Sequence, residues 1–475
     1  MLIDPDHPDL GPVNNQFVFL GGRVEHGRKE LAKRFMYKSF GSTNFYLHTT
    51  ICEQSHHIAY AEVTRNLKTG KSTTHMKPDI LKAEYVIFFG TGAFEANSGP
   101  PSIAEKVTAS LTQRKDFAMV VVDPRLSKTA AQADRWVPVK PGGDGALAMG
   151  MLRWIVENQR YDRTYLENPN PQAAAADGES TWTDATHLVR TDDMKFLAPE
   201  DIGLTPPQDG QPPFHVVMTD QGPALADEAP GGVLDFADEL RGIPVKTAFT
   251  LLKERLLERS LEEYAELSGV DPRTIIELAD EFTSHGKRAA AKFYRGPALH
   301  TNGYYNAQAI IFLNVLRRMW YPFSNEIYQE VIPSAADAYP YPIKAMLIHK
   351  GTPAGVIPAG DKQIPVLMDT QAIPLLIARD IVIGETTTYA DYVLPDLTYM
   401  ERWGTPHVSP DNLVEVSKVR QPMVAPIPEV VNVDGEEMPI CLETFFIALG
   451  KRLGLPGFGK GGFGEKGDFD RPEDF

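Results

Sequence analysis

In Gly41-Ser-Thr-Asn44-Phe-Tyr-Leu-His48-Thr-Thr-Ile-Cys52-Glu-Gln-Ser-His56-His57 one thiol stands four residues after an imidazole and four and five before two more. Only one other cysteine, Cys441, occurs in 475 residues, so a disulfide framework is excluded and Cys52 must be read by its neighbours. A thiolate is a soft ligand that suits a metal already rich in sulfur. Zinc is the weaker reading, because His-x3-Cys-x3-His-His supplies no second thiolate for a closed tetrahedral set. A lone cysteine is by itself more often a small buried hydrophobe, and His56 and His57 are equally readable as solvated surface residues.

A second group of residues points to nucleotide chemistry. The apolar runs 85–89 and 117–122 lack polar alternation and read as buried parallel strands. Between them, 101–114 places Ile103, Val107 and Leu111 on one helical face, which makes a βαβ unit. Gly90, Thr91 and Gly92 form the turn after the first strand, where backbone N–H groups could meet a phosphate. Asp123 ends the second strand, where a carboxylate commonly holds a ribose hydroxyl. Further on, Pro141, Gly142 and Gly143 lead to Asp144, a suitable N-cap for a helix over 145–158. A nicotinamide site fits poorly, since Glu95 occupies the third position of Gly-x-Gly-x-x-Gly and would repel a pyrophosphate.

The run Asp123-Pro-Arg125, Thr129-Ala130, Ala133-Asp134, Trp136, Pro138, Pro141-Gly142, Asp144 and Ala146 resembles the DMSO reductase family, whose members hold molybdenum between two molybdopterin guanine dinucleotides. Gly143 departs from the family's usual threonine. The resemblance extends, in order, to Arg295-Gly296 with His300 and Asn302-Gly303, to Gly351-Thr352, and to Glu385-Thr386 with Asp391. It implies an α/β fold of two doubly wound lobes with parallel sheets. It also implies that Cys52 ligates the metal while His48 orients the loop or lines the substrate path. Arg295, His48 and His300 are then candidates for attracting an anionic substrate. Cofactor contacts are expected from Gly90, Thr91, Glu95, Asn97, Asp123, Arg125, Thr129, Asp134, Pro141, Gly142, Asp144, Gly296, Gly303, Gly351, Thr352, Glu385, Thr386 and Asp391.

These residues require elements to position them. The order of segments suggests that 1–40 opens lobe one, 41–285 is an inserted lobe two carrying the Cys52 loop, 286–450 returns to lobe one, and 451–475 is a glycine-rich tail. Length alone agrees with two domains. Residues 167–236, rich in Pro, Gly, Ala and Asp, read as a surface excursion with short strands at 186–190 and 214–218, while helical periodicity returns over 251–286.

An ordinary balance of 43% hydrophobic and 23% charged residues allows a large core. A net charge of −16 disfavours nucleic acid or an anionic membrane as partner. No window reaches the ~18 apolar residues of a spanning helix. The cysteine-rich iron–sulfur region, export signal and closing domain of the family find no match here, so a truncated or split catalytic subunit is expected. The resemblance further implies two partners, an electron-transfer subunit with iron–sulfur clusters and one that anchors the complex in the membrane, together with a periplasmic location. Within the family, the 44–60 loop and 329–341 resemble the tetrathionate-reducing branch, implying reduction of tetrathionate to thiosulfate. Arsenate, selenate, thiosulfate or polysulfide are alternative substrates. The readings from other classes are a nicotinamide dehydrogenase and a metal-free structural subunit.

Overall fold

Among the described residues, nine short strands, most of them buried, build the parallel sheets: β1 (Phe17–Gly21), β2 (Phe45–Leu47), β3 (Tyr85–Phe89), β4 (Ala118–Val122), β5 (Arg135–Val137), β6 (Ala289–Phe293), β7 (Ala345–His349), β8 (Leu376–Asp380) and β9 (Tyr392–Pro395). The computed structural model describes all residues except 1, 2, 4, 68, 74–75, 96–99, 207–212, 315–327, 358, 406–417 and 426–428. The chain divides into two compact units, Met1–Cys52 with Ser324–Phe475, and Glu53–Phe323.

Each unit is built on one parallel sheet. The first has the order β9-β8-β7-β1-β2 and the second β6-β3-β4-β5, and every pairing in both is parallel. The reason lies in the strands' composition. Tyr85, Ile87 and Phe89 of β3 enter the core formed with Leu147 and Met151 of helix Asp144–Glu157 and Ile310 of helix Gly303–Asn314. Val86 and Phe88 enter the opposite core, against Ile103 and Val107 of helix Pro100–Gln113. A strand covered on both faces cannot alternate, and each of its large apolar side chains gains roughly 1.5–3 kcal/mol by burial.

The boundaries fall elsewhere than the expected 41 and 286. Phe45–Leu47 pairs with β1, so the Cys52 segment belongs to the first unit, and Ala289–Phe293 pairs with β3, so the second unit runs past 286. Strand pairing crosses the breaks that motif order suggested. The glycine-rich tail is likewise part of the first unit's core, because Phe458 and Phe469 are buried with Phe35 and Phe446. Arg34 lies over the Phe463 ring at 4.8 Å. Within the surface excursion, Leu188–Arg190, Ile243–Thr247 and Ala237–Leu240 form an antiparallel sheet, and Val216–Thr219 pairs with Gly222–Leu225.

The strand order of each parallel sheet reverses once. In the second unit the chain runs β3-β4-β5 outward and returns to place β6 on the other flank of β3; in the first, β7 flanks β1 opposite to β2. The carboxyl ends of strands at such a reversal open a crevice where ligands bind. Here each crevice is floored by backbone packed on backbone. A Cβ on Gly22 would stand 1.6 Å from the Lys350 carbonyl oxygen, and one on Gly296 would stand 2.0 Å from that of Gly90.

Gly296→Ala is therefore expected to destabilise the protein by about 3 kcal/mol or more, because the obstructing atom is backbone. Gly178→Ala, at φ +75° with open space around it, should cost only the ~1–2 kcal/mol of a left-handed conformation. Chemical-denaturant midpoints of the two variants provide the comparison.

Candidate functional site

The two crevices are built from the same parts. Asp-x5-Thr-x3-Ala-Asp-x3-Pro occurs at Asp123, Thr129, Ala133, Asp134 and Pro138, and again at Asp380, Thr386, Ala390, Asp391 and Pro395. In the second unit the Asp134 carboxylate accepts from Met119 N–H at 2.7 Å, and Asp134 N–H donates to Met119 O at 2.9 Å. In the first, Asp391 does the same with Leu376, at 2.7 and 2.8 Å. Thr129 Oγ1 accepts from Phe94 N–H at 3.2 Å, and Thr386 Oγ1 from Ala354 N–H at 3.1 Å. Of these four residues, all expected to touch a cofactor, the aspartates tie the crevice walls to the sheet and the threonines tie them to the turns after β3 and β7. The repeat was a signal available in the sequence, and it identifies Asp380 as the counterpart of Asp123.

In the second unit, Gly90 at φ +51° turns the chain beside Gly296, and the following Thr91 is buried with an Oγ1 that has no partner among the described residues. An orphaned buried hydroxyl at the end of a strand is costly unless a ligand completes it. Glu95 accepts from Lys128 N–H at 3.0 Å and lies 3.6 Å from Arg125, so its charge is turned to the Asp123–Thr129 loop. That contact answers the repulsion that Glu95 alone suggested. Asn97 lies outside the described residues.

The far wall is the Pro141-Gly142-Gly143-Asp144 loop. Asn302 and Asn306 each donate to Gly142 O at 3.3 Å, and the His300 ring lies 3.6 Å from where a Cβ on Gly142 would be. Gly303 admits no side chain, since its Cβ would meet Ala298 O at 2.0 Å. Gly143, rather than Asp144, is the N-cap, and Asp144 is the first residue of the helix. The Asp144 carboxyl is pushed up to about 6 by burial, with the Asp123 charge adding to the rise and His300 opposing it. Asp123 and His300 are thus both near enough for their charges to act on the Asp144 carboxyl.

In the first unit, Lys350 at φ +49° carries the turn that covers Gly22, followed by Gly351 and Thr352. Burial and the charges of Arg28 and Arg402 lower the Lys350 ammonium, and burial raises the Asp380 carboxyl, which Lys350 partly offsets. Glu385 and Gly355 are adjacent, a Cβ on that glycine falling 2.1 Å from Glu385 Oε2. Beneath lies a buried charge network in which Arg28 binds Glu443 at 2.7 Å and Asp396 bidentately, joining the helix after β1 to helix Leu442–Arg452. The Arg28 and Arg379 charges hold Asp396 well below the usual carboxylate range against the opposing effect of burial.

Cys52 sits at the edge of the same crevice. His48 N–H donates to Gly21 O at 3.1 Å, which fixes the short helix Thr49–Cys52 at the carboxyl end of β1, and the thiol is half-buried. Asn44 pins the approach by donating to Asn15 O at 2.6 Å and to Tyr341 Oη at 2.8 Å. His56 and Arg295 belong to the second unit. His56 is fully buried among the rings of Tyr60, Phe293 and Tyr294, so it is not a solvated surface residue. Arg295 lies 4.9 Å over the Tyr294 ring and 3.9 Å from Glu53, which also bonds the Tyr294 hydroxyl. Asp123, Asp144, Arg295 and His300 therefore lie in the second unit, and His48, Cys52, Gly351 and Thr352 in the first, with His48 on Gly21 and Gly351 beside Gly22. Sequence reading missed Asn306, Lys350 and Tyr328, whose types carry no motif of their own, and also Asp380, which the repeat identifies.

Residues 14–409 match the family model described as molybdopterin oxidoreductase. The chain is 41% identical, over all of its length, to a selenate reductase subunit from Mesobacillus selenatarsenatis, and 33% identical over 96% of its length to a tetrathionate reductase subunit from Salmonella typhimurium. It spans 52% of each, about half the length of these curated relatives. Acetylene hydratase from Pelobacter acetylenicus shares the fold at a TM-score of 0.57 and 16% identity, over 93% of this chain and 56% of that one.

Asp144 generates a pH prediction that needs no ligand. Its carboxyl binds a proton more tightly folded than unfolded, so its contribution to stability is complete below about pH 4 and is lost as the pH rises through about 6. The loss is roughly 3 kcal/mol by pH 8. Asp144→Asn should raise the melting temperature of the ligand-free protein at pH 8 and leave it little changed at pH 4, as read by thermal denaturation across that range.

Proposed function

Because the chain belongs to the molybdopterin oxidoreductase family, we propose that its two crevices each hold one molybdopterin guanine dinucleotide and that Cys52 ligates the molybdenum they carry. The observation that carries this reading is the duplicated crevice, with its shared Asp-x5-Thr-x3-Ala-Asp-x3-Pro walls, backbone floors and orphaned Thr91 hydroxyl. When bound, that cofactor supplies two-electron oxidation and reduction at the metal. The chain's own residues bind and orient it. Backbone N–H groups of the glycine turns would hold its phosphates, and Asp123 and Asp144 would accept from its hydroxyl or N–H donors. Ligand N–H groups across that crevice would return Asp144 to its ionised form, since a donor to a carboxylate favours its charged state.

The reaction proposed is reduction of a small selenium or sulfur oxyanion. The higher identity to a selenate reductase favours selenate over the tetrathionate suggested by the 44–60 loop. Arg295 is the proposed attracting cation, needed because the chain as a whole is strongly negative. Electrons would arrive through an iron–sulfur partner protein linked to a membrane anchor, in the periplasm. Among the described residues no helix is long and apolar enough to cross a membrane.

The substrates differ in proton demand. Selenate with two electrons and two protons gives selenite and water, whereas tetrathionate with two electrons gives two thiosulfates and consumes no proton. The full-length enzyme, fed electrons by a one-electron dye in weak buffer, should reduce selenate with a rise in pH; turnover of tetrathionate alone, without proton uptake, would reverse the preference. Arg295→Ala should raise KM about 10- to 100-fold with a smaller effect on kcat, and Arg295→Lys should recover part of it. Cys52→Ala should remove one sulfur from the molybdenum coordination seen by X-ray absorption; an unaltered coordination shell would sink the ligand assignment.

A further inference from the structure

The first unit contains a buried hydroxyl that none of the foregoing uses. Tyr328 is 1% exposed, and its ring is held in the apolar cluster of Leu20, Ile332 and Ile348. Its Oη has no hydrogen-bond partner among the described residues. The hydroxyl points to the floor of the crevice: a Cβ on Gly351 would fall 2.9 Å from it and 3.3 Å from the Gly22 nitrogen. Burial raises the pKa of the phenol, so it stays protonated and can donate. The other end of the residue faces the helix that carries Cys52. Tyr328 N–H donates to Thr50 Oγ1 at 3.0 Å, and Thr50 lies in the single turn Thr49–Cys52.

We propose that Tyr328 is a positioning residue that couples the Cys52 helix to the cofactor, its hydroxyl donating to an acceptor atom of the pterin dinucleotide in the first crevice while its backbone fixes Thr50. This rests on the functional reading above and adds to it a residue that belongs to no motif. The physical case is that a buried hydroxyl without a partner costs stability in the ligand-free protein and repays it on binding. A turn of four residues cannot hold itself, since its N–H groups lack intrahelical acceptors, so a side-chain acceptor used by a neighbouring backbone sets its orientation.

The test uses purified full-length holoprotein, wild type and Tyr328→Phe, with molybdenum and released guanine nucleotide measured over time after dilution into mild denaturant. Tyr328→Phe should lose both about tenfold faster, the loss of one hydrogen bond to a ligand. The cofactor-free forms supply the control. Removing an unpaired hydroxyl should leave the melting temperature of cofactor-free Tyr328→Phe equal to or above that of wild type, whereas a purely structural hydrogen bond would lower it. Thr50→Val, which removes the acceptor but not the phenol, should shift the Mo(V) electron paramagnetic resonance signal while changing nucleotide retention less. Unchanged retention in Tyr328→Phe, or a melting temperature lowered equally in the loaded and cofactor-free forms, overturns the inference. A wild-type protein that carries no guanine nucleotide overturns the functional reading and this inference with it; a loaded wild type with an indifferent variant overturns this inference alone.

Discussion

Two backbone contacts, Gly22 on Lys350 and Gly296 on Gly90, set the geometry on which the rest of each unit depends. Neighbouring parallel strands that lead away in opposite directions leave a gap at their carboxyl ends, and its depth is fixed by how closely the two following turns approach. Side chains would fill that gap. Glycine at one or both partners leaves N–H groups at the surface of the crevice, where a polyanion can reach them. The contact also limits the sheet, because β1 with β7 and β3 with β6 must stay in register for the turns to meet.

Around these floors the protein keeps polar groups where an apolar core would be more stable. Asp144 is held largely out of water opposite Asp123, Thr91 and Tyr328 bury hydroxyls, and His349 is fully buried with both ring nitrogens unpartnered among the described residues and its imidazole held well below its ordinary value by burial. Only some of these are compensated internally. Arg28 with Asp396 and Glu443 is a satisfied buried set, joining residues 368 and 415 positions apart in sequence. Such a set contributes little net stability, since desolvation opposes attraction, but removing one member would strand the others. Thr91 and Tyr328, in contrast, lie beside the glycine turns of the crevices, where a ligand can complete the polar network.

Much of the fold was legible. The runs that became β3 and β4, with helices Pro100–Gln113 and Asp144–Glu157, stand within a few residues of their expected places, because continuous apolar runs and 3.6-residue periodicity are local properties. Of the candidate residues, the glycines and Asp123 needed only a strand end to be recognised. Thr129, Asp134, Thr386 and Asp391 were legible as a pattern, but that the aspartates hold loops to the sheet and the threonines hold loop to neighbouring turn depends on which segment lies alongside.

By itself the sequence determined the two-lobed parallel α/β class, the thiol and the carboxylates available to it, and the resemblance that names a cofactor. Residue type and spacing carry that information. The tertiary structure decided the lobe boundaries, the burial of the glycine-rich tail, the turning of Glu95 towards Arg125, and the placing of Tyr328 between Thr50 and Gly351. Each of these depends on pairing or packing between segments far apart in the chain, and no local periodicity encodes which distant partner a strand or hydroxyl will meet.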